Sequence, residues 1–430
     1  MKKSILYIFV FMLAVASISV LSLGCSKDGI EKRDPMYIVY KNNKCGYINN
    51  KGEILINPQF DVCNNFYGNR AVISIGSVMG IIDNDGKIVI TPKYWVMSGY
   101  HKYYTKFDYS RYTRMMYYPA EFSDFRNSHL LAGEPKGVRG KLAQDAYFYG
   151  ISLNGITREI GYISDYFGYS NGYYLVRRRS LYYFMGVHGK DYKLKKEYDI
   201  TTGFEDAIKF SEGLAAVRFE GKWGFVDASK GDAVFIINPQ FEKAYSFSDG
   251  LAAVKVGGKW GYVDNSGQFI INPQFDEAFA FNEGVARVKS ASEKKYGFIN
   301  RRGKYIVSPL YDEASWFVEG LAAVKKGGKW GYIDNSGAWV IQPEYDVALN
   351  FSEGFAAVGK YIPVADTKKE TLKYGFIDKT GNQIINFEYN AVGDFFNGIA
   401  LVSLFSNKKN EIPMFGYKDS KNKWIWELSR

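Results

Sequence analysis

One stretch of seventeen residues occurs twice in this chain. Residues 251–267 read LAAVKVGGKWGYVDNSG, and residues 321–337 repeat them with changes only at Lys326 and Ile333. A catalytic site is normally built once, from residues scattered along the chain. A structural unit that cannot bury its own apolar face is instead copied and stacked. The repetition therefore predicts a repeat architecture.

The aromatic–glycine pair at the centre of this stretch recurs along the chain. Clear copies are Trp223-Gly224, Trp260-Gly261, Tyr296-Gly297, Trp330-Gly331, Tyr374-Gly375 and Phe415-Gly416. Less similar copies are Cys45-Gly46, Met79-Gly80, Tyr149-Gly150 and Met185-Gly186. Successive clear pairs are 34 to 44 residues apart. Nine or ten units of about 35 residues therefore cover nearly the whole chain after its first segment.

The sequence of each unit predicts a three-stranded antiparallel meander. The strands LAAVKV and KWGYVD flank Gly257-Gly258, where a tight turn needs the positive φ that glycine adopts readily. The next turn, DNSG, has residues that bond their own backbone. The third strand stops at Pro273, which lacks a ladder donor, and a short aromatic segment leads back to the next unit.

The aromatic–glycine pairs are expected to form the repeat core. A glycine between two aromatics, as at Gly261, leaves a notch that either a ring of the adjacent unit fills or a β-bulge occupies. The expected core residues are Trp223, Gly224, Trp260, Gly261, Tyr296, Gly297, Trp330, Gly331, Tyr374 and Gly375. We interpret the tryptophans as buried structural residues rather than as ligand-binding aromatics.

These units predict an all-β fold. Stacking of three-stranded meanders gives an array or solenoid, and the short unit length favours that arrangement. A β-propeller is the alternative, although its blades usually have four strands.

The unit also carries a family resemblance. Its core KWG[YF][IV]D, with the flanking EGLA[AP]V and the following I.P.[FY], resembles the bacterial WG, or KWG, repeat family. The resemblance is specific at 204–389, good at 36–94 and poor at 95–200. It implies a repeat protein of the envelope or the cytosol, without a defined activity. The predicted organisation is a signal at 1–24, a tether at 25–35, WG repeats at 36–94, degenerate repeats with a Tyr-rich insertion at 95–203, and WG repeats at 204–430.

The first segment predicts export. Lys2 and Lys3 precede an apolar run, as in a signal peptide, and the run ends in LSLGC at Cys25. This ending resembles the lipobox of bacterial lipoproteins, in which the signal is cut before a cysteine that receives lipid. Ser26 after that cysteine favours the outer membrane, if the cell has one. We therefore expect a lipid-anchored protein of the cell envelope; a plain secretory signal or an uncleaved anchor is the alternative.

We interpret most of the lysine and arginine residues as solvated surface residues. Loss of residues 1–24 removes Lys2 and Lys3, and the formal net charge falls from +10 to +8. The remaining cations are spread through the repeats, so no nucleic-acid partner is expected. Of the remaining cysteines, Cys45 and Cys63 either pair in an oxidising compartment or are small core residues.

Catalytic patterns in this sequence are few and incomplete. His101, His129 and His188 lie far apart, so neither a metal site nor a cofactor is expected. Residues 168–172 match the GxSxG pattern of hydrolases, but they align with a turn of the repeat. Residues 83–86 resemble the start of a calcium loop and lack its distal glutamate.

One acidic residue recurs beside the glycine that opens each unit. Acid–base catalysis needs one pair of carboxylates in different environments, so these residues are interpreted as turn residues and no enzyme activity is expected. They are Glu212, Asp249, Glu283, Glu319 and Glu353.

The largest departure from the repeat is the Tyr-rich segment 100–118, YHKYYTKFDYSRYTRMMYY. Exposed tyrosines stack on sugars or peptides, and neighbouring cations attract acidic groups. Alternatively, the tyrosines pack against the repeat body. The candidate ligand-binding residues are Tyr103, Tyr104, Tyr112, Tyr117, Tyr118, Arg111 and Arg114.

The sequence as a whole predicts a non-catalytic, lipid-anchored surface that binds or scaffolds a protein or a glycan. One alternative is a carbohydrate-active or other hydrolytic enzyme with its site in 95–203. The other is a structural spacer on the cell surface.

Overall fold

The structure of the chain is a computed structural model. It describes residues 35–66, 70–76, 78–94, 96–97, 129–134, 146–152, 155–163, 165–170, 173–178, 180–186, 203–227, 234–364, 369–405 and 413–429. All of them belong to one compact unit, Lys32–Arg430.

Every regular element in these residues is a β-strand, and the strands form ten antiparallel sheets in chain order. Sheets 1 to 3 contain β1 (Tyr37–Lys41), β2 (Lys44–Ile48) and β3 (Ile54–Phe60); β4 (Val62–Cys63), β5 (Arg70–Ile75), β6 (Val78–Asp83) and β7 (Ile88–Tyr94); and β8 (Val96–Met97), β9 (His129–Glu134), β10 (Ala146–Ser152) and β11 (Gly155–Ile163).

Sheets 4 to 6 contain β12 (Asp165–Ser170), β13 (Tyr173–Arg178) and β14 (Leu181–Gly186); β15 (Asp206–Ala207), β16 (Leu214–Phe219), β17 (Lys222–Asp227) and β18 (Val234–Phe241); and β19 (Lys243–Ala244), β20 (Ala252–Val256), β21 (Lys259–Val263) and β22 (Phe269–Phe275).

Sheets 7 to 10 contain β23 (Glu277–Ala278), β24 (Val285–Lys289), β25 (Tyr296–Asn300) and β26 (Tyr305–Tyr311); β27 (Glu313–Ala314), β28 (Leu321–Lys326), β29 (Lys329–Asp334) and β30 (Trp339–Tyr345); β31 (Val347–Ser352), β32 (Phe355–Pro363), β33 (Glu370–Asp378) and β34 (Gln383–Tyr389); and β35 (Ala391–Phe396), β36 (Ile399–Leu404), β37 (Met414–Asp419) and β38 (Trp424–Ser429). The predicted all-β repeat fold is confirmed.

The predicted meander is present in sheet 6. Strands β20 and β21 pair antiparallel from Ala252 opposite Val263 to Val256 opposite Lys259. The turn between them places Gly257 and Gly258 at φ values of 58° and 75°, the left-handed region that glycine adopts without strain. The third strand, β22, pairs with β21.

A β-bulge lies where the third strand passes the aromatic–glycine pair. Trp260 is opposite Phe275 and Tyr262 is opposite Ile271, so two residues of β21 span four of β22. The backbone of β22 then crosses directly over Gly261, where an added Cβ would lie 2.5 Å from the Ile271 carbonyl oxygen. Of the two readings of the glycine notch, the structure shows the bulge.

A short fourth strand precedes the meander in most sheets. In sheet 6 it is β19, whose Lys243 and Ala244 pair with Lys255 and Val254. Only Glu242 separates β19 from the end of β18, so the chain passes almost directly from one sheet to the next. Most units therefore have the three predicted strands and a short fourth one.

Neighbouring sheets bury a hydrophobic core between them. Ile237 of sheet 5 packs with Phe247, Val254 and Val263 of sheet 6. The turn of each unit rests on the preceding third strand, and a Cβ on Gly267 would lie 3.1 Å from the Ile237 side chain. Equivalent clusters lie between most other successive sheets. Each unit thus covers the apolar face of its neighbour.

The last sheet also packs on the first. Tyr37, Val39 and Ile48 of sheet 1 form one apolar cluster with Ile399 of sheet 10, and the Tyr417 hydroxyl donates to the Ile38 carbonyl over 2.9 Å. The sheets therefore close into a ring. The units stack in chain order, as predicted, and the contact between the first and last sheets is the one expected of the propeller alternative.

A disulfide joins the first two sheets. Cys45 on β2 and Cys63 on β4 are bonded, with their Cα atoms 6.0 Å apart. Of the two interpretations of these cysteines, pairing is the one that the structure shows, and both side chains also lie in the core between sheets 1 and 2.

Candidate functional site

The site predicted from the Tyr-rich segment lies outside the described residues. This applies to every residue named for it and to Cys25, the predicted site of lipid attachment. The aromatic residues of the repeat core lie in the described part. Trp260 and Trp330 are buried, at 6% and 3% exposure, and Trp223, Tyr296 and Tyr374 are partly buried.

The glycines of the repeat core all lie under a third strand. At each one, an added Cβ would come within 2.7 Å of a carbonyl oxygen of that strand, which no side chain tolerates. The five are Gly224, Gly261, Gly297, Gly331 and Gly375.

The recurring carboxylates join one unit to the next. Glu212 accepts a hydrogen bond from the Gly250 amide over 3.0 Å, and Asp249 accepts one from the Gly284 amide over 2.8 Å. Further along, Glu319 accepts from the amides of residues 353 and 354, and Glu353 accepts from those of residues 397 and 398. These bonds give the acidic row a structural role as turn residues.

Serine hydroxyls add a parallel set of bonds at the same turns. Ser211 donates to the Phe247 carbonyl over 2.8 Å, and Ser248 donates to the Phe281 carbonyl over 2.6 Å. We call the contact between two successive sheets a seam. Each described seam that has both residues is therefore joined by two kinds of hydrogen bond, those accepted by the carboxylate and the one donated by the serine hydroxyl.

Both of these hydrogen-bond types are missing between sheets 7 and 8. Glu283 stands at the carboxylate position, yet within the described ranges it accepts no hydrogen bond and forms no ion pair. Asn282 replaces the serine, and its side chain likewise has no partner in that part of the chain. Within the described residues, the backbone amides of the turn that they should hold, at 318–320, donate to no residue of sheet 7.

An arginine occupies a core position beside this break. Arg287 on β24 lies opposite Phe298, where the other units have Ala253 opposite Tyr262 and Ala323 opposite Tyr332. A guanidinium thus replaces a methyl group that is buried in the other units.

The guanidinium is held among aromatic rings. Its central carbon lies 3.8 Å from the ring centre of Phe279 and 4.8 Å from that of Trp316, distances typical of cation–π contacts. Trp316 comes from the next unit, where it replaces the Ser246 of sheet 6. The contact therefore bridges the seam that lacks the usual hydrogen bonds.

Most of the donors of Arg287 are unused. A guanidinium carries five N–H groups, and among the described residues one nitrogen, Nη1, donates to the Ala314 carbonyl. The Nε atom is buried without a partner. Burial lowers the pKa of Arg287 to about 10, so the side chain remains a cation at neutral pH.

A small surface cleft opens at this point, and we name it the Arg287 cleft. Its walls combine the cation and an amide side chain with apolar and aromatic groups, the mixture typical of small-ligand sites. The residues that line it are Ala280, Asn282, Val285, Arg287, Phe298, Trp316 and Phe317. Chemically, the arrangement can hold an anionic group against an aromatic wall.

Sequence reasoning missed this site although its signal is visible. The unit at 285–289 reads VARVK where two others read AAVK after a leucine, and Trp316 interrupts a position of smaller residues. A comparison of unit with unit, rather than a search for known catalytic motifs, identifies both substitutions.

The other motifs are part of the sheets. Gly168 and Ser170 lie in β12, which is followed by another strand rather than by a helix. Asp83 accepts hydrogen bonds from the amides of Asp85 and Lys87 in a turn. Within the described residues, no group of three or more His, Cys, Asp or Glu could hold a metal, and no helix is long and apolar enough to cross a membrane.

Comparison with known proteins gives one family and one fold. The family described as WG containing repeat matches residues 46–77, 79–96, 200–223, 224–260, 260–291, 296–330, 330–360 and 374–408. These segments make up more than half of the chain. No curated protein matches the chain.

Among solved structures, a eukaryotic initiation factor is similar over 93% of this chain and 98% of its own, with a TM-score of 0.51 and 11% identity. Hsv2 of Kluyveromyces lactis is similar over 72% of this chain and 96% of its own, with a TM-score of 0.31 and 10% identity. At such identities the likeness to the initiation factor concerns the fold alone.

Proposed function

Because the chain belongs to the family of WG containing repeats, we propose that it is a non-catalytic binding protein of the cell envelope. The ring of sheets is the scaffold, and the partner is a protein or a glycan. The observation that carries this proposal is the Arg287 cleft, where one seam departs from the repeat and places a partly buried cation that forms no ion pair within the described residues.

The regular seams support the scaffold part of the proposal. At the seams that have both hydrogen-bond types, the carboxylate and the serine hydroxyl bond to the next unit. The seam between sheets 7 and 8 retains its apolar core, with Phe298, Val307 and Ala322 packed together. Its polar groups are therefore available to a ligand while the ring stays intact.

The cysteines support the envelope part. A disulfide such as Cys45–Cys63 persists in oxidising compartments and is rare in the cytosol. The signal-like first segment and the lipobox-like sequence before Cys25 agree with that location. We propose that lipid on Cys25 holds the protein on the membrane.

The binding proposal is tested by partner capture. The full chain, wild type or Arg287→Ala, is used as bait in an envelope extract of the producing cell, with Lys255→Ala as the matched control. Arg287→Ala installs the residue that the equivalent positions already hold, so the fold should persist. We expect capture to be lost with Arg287→Ala and kept with the control. Equal capture by all three baits would rule out this cleft as the binding site.

The anchor is tested separately. Cys25→Ala is expected to abolish labelling by radioactive palmitate and to move the protein out of the membrane fraction. Unchanged labelling and fractionation would contradict lipid attachment at Cys25, without affecting the binding proposal.

A further inference from the structure

We propose that one end of sheets 10, 1 and 2 rests on the lipid bilayer, with exposed apolar side chains at the boundary between headgroups and acyl chains. The proposal rests on the proposed lipid attachment at Cys25 and specifies which surface of the protein then faces the membrane. We name this surface the closure face, and it consists of Ile54, Leu55, Ile88, Val89 and Phe396.

The parts of the closure face in sheets 1 and 10 lie at the same end of those sheets. Tyr37 pairs with Ile48, and Ile48 pairs with Ile54, so β1 and β3 both begin at this end. The Tyr37 hydroxyl donates to the Phe396 carbonyl over 3.0 Å, and the two rings lie 6.3 Å apart. Phe396 of sheet 10 is therefore at the end of sheet 1 where Ile54 lies.

Sheet 2 continues the closure face. Ile88 pairs with Ile82 and follows the turn at Gly86. That turn rests on β3, because a Cβ on Gly86 would lie 3.1 Å from the Ile56 side chain. Ile88 and Val89 thus extend the apolar surface from sheet 1 to sheet 2.

Sheets 1 and 2 expose an apolar side chain that the equivalent units cover. Ile54 and Ile88 are 45% and 44% exposed. The same strand position holds Phe269 in sheet 6 and Trp339 in sheet 8. These rings are partly buried, and each lies edge-on to an aromatic ring of the preceding sheet, at 6.3 and 5.8 Å. The two isoleucines replace that aromatic contact with exposed aliphatic groups.

Phe396 is a second departure from the repeat. It occupies the turn position of Ser211, Ser248 and Ser352, whose hydroxyls each donate to the following sheet. A phenyl ring cannot donate such a bond, and this ring is 62% exposed. Apolar groups exposed beside one another indicate an interaction surface.

The path of the chain indicates that lipid covers this surface. Pro35 lies two residues before Tyr37, and Cys25 lies ten residues before Pro35. Ten residues span at most about 35 Å, so a lipid on Cys25 would keep this end of sheet 1 close to the bilayer. Apolar area buried beside a lipid anchor adds to membrane affinity.

The charged residues of the neighbouring turns do not favour one sign. Lys51 and Lys87 are exposed and form no ion pair among the described residues, and their long side chains can reach lipid phosphates. Glu53, Asp83 and Asp85 lie in the same two turns. We therefore expect apolar contact rather than net charge to determine the docking, with little dependence on salt.

The test measures where single fluorescent probes lie. The full chain is purified from the producing cell and reconstituted in vesicles of phosphatidylethanolamine and phosphatidylglycerol. An NBD fluorophore is attached to Ile88→Cys or Phe396→Cys, with Tyr361→Cys as the control. Tyr361 is also exposed, and it lies near the opposite end of β32 from Phe355, which follows the turn equivalent to that of Phe396.

We expect the probes at 88 and 396 to emit at shorter wavelength than the probe at 361. A nitroxide-bearing lipid should quench the first two, and aqueous iodide should quench the third. The chain without an introduced cysteine is the blank, because Cys45 and Cys63 are bonded to each other and Cys25 carries lipid under the proposed function.

Two matched double variants test the apolar contact. Leu55→Thr with Val89→Thr should shift the equilibrium of the probe at 396 away from the lipid roughly tenfold. Ile270→Thr with Val340→Thr changes the same strand positions in sheets 6 and 8, where the side chains are similarly exposed. This second pair should have no effect, and neither should a high concentration of potassium chloride.

Three results would overturn the inference. The first is equal iodide quenching at positions 88, 396 and 361. The second is an equal effect of the two double variants, and the third is loss of lipid quenching in salt, which would indicate electrostatic attraction instead of apolar contact. A probe at 396 that neither quencher reaches would mean that a second copy of the chain covers the face.

The outcomes separate this inference from the proposed function. If the unaltered chain takes up the fluorophore at Cys25 and does not remain with the vesicles, lipid attachment fails, and docking of the closure face fails with it. If the chain carries lipid and remains with the vesicles while all probes stay in water, only the closure face is wrong. Neither result affects capture through Arg287.

Discussion

Gly261 shows how one residue type fixes the geometry of a whole unit. The aromatic residues on either side of it could be predicted to pack inward, because their spacing places them on one face of a strand. Whether a ring or a bulge occupies the notch could not be predicted, because that depends on the register of β22 against β21.

The close approach at Gly261 leads to a residue-scale prediction. Gly261→Ala should lower the free energy of unfolding by about 3 kcal/mol, because the added methyl group forces the third strand away. Gly393→Ala is the control, since its Cβ would meet only Leu401 at an ordinary 3.4 Å. Chemical denaturation measures both variants, and equal stability of the two would mean that β22 does not cross the glycine this closely.

Arg287 illustrates what motif searching overlooks. Its neighbours in sequence are ordinary strand residues, and no catalytic pattern includes it. Its meaning comes from the position that it shares with Ala253 and Ala323, and from Trp316 of the next unit, which only the folded chain brings beside it.

At the scale of the element, the three long strands could be read from the sequence and the short one could not. Alternation and turn residues mark the meander. The two-residue strand β19 is too short to show any alternation, and it pairs with β20 only because β18 delivers the chain to the edge of the next sheet. The predicted three-stranded meander is present, and β19 adds a short fourth strand to it.

The seam between sheets 7 and 8 leads to a prediction about local opening. The Gly320 amide has no acceptor in the described part of the chain, since Glu283 does not reach it. The equivalent amides of Gly250, Gly284, Gly354 and Gly398 all donate to a carboxylate. Hydrogen exchange should therefore be faster at Gly320 than at these four.

The Arg287→Ala variant is the control for this measurement. Arg287→Ala should leave the order of exchange rates unchanged, because the missing bond belongs to Glu283. Equal protection of all five glycine amides would show that the seam between sheets 7 and 8 is held as firmly as the others.

At the scale of the whole molecule, closure is the property that the sequence could not reveal. Each unit encodes contacts with its two neighbours, and these are the same in a ring and in an open array. Closure depends on the small rotation between successive sheets added over all the units. The sequence of a single unit does not determine this total rotation. The aromatic residues Tyr37 and Trp426, from the first and last sheets, take part in the contact that results.

Tyr37 provides the test of closure. Its side chain is 6% exposed, its ring lies 5.7 Å from that of Tyr417, and its hydroxyl donates to the Phe396 carbonyl over 3.0 Å. Tyr37→Ala should cost about 3–5 kcal/mol, as for other buried aromatic residues, and should speed hydrogen exchange in both sheet 1 and sheet 10.

The distribution of that effect distinguishes the two architectures. Sheet 7 should be unaffected, and Tyr361→Ala, at a tyrosine that is 54% exposed, should change neither stability nor exchange. Faster exchange confined to sheet 1 would indicate that the ends of the array do not meet.

Because the Ser429 hydroxyl donates to the Tyr40 carbonyl over 2.7 Å, the two ends of the described part of the chain are neighbours. The same contacts between neighbouring sheets could therefore form if the polypeptide started in a different unit. Joining residue 429 to residue 35 and opening the chain at the Gly327-Gly328 turn would give a protein that begins in another unit and keeps every pair of neighbouring sheets. The order of the units around the circle, rather than their order from the first residue, is what defines this molecule.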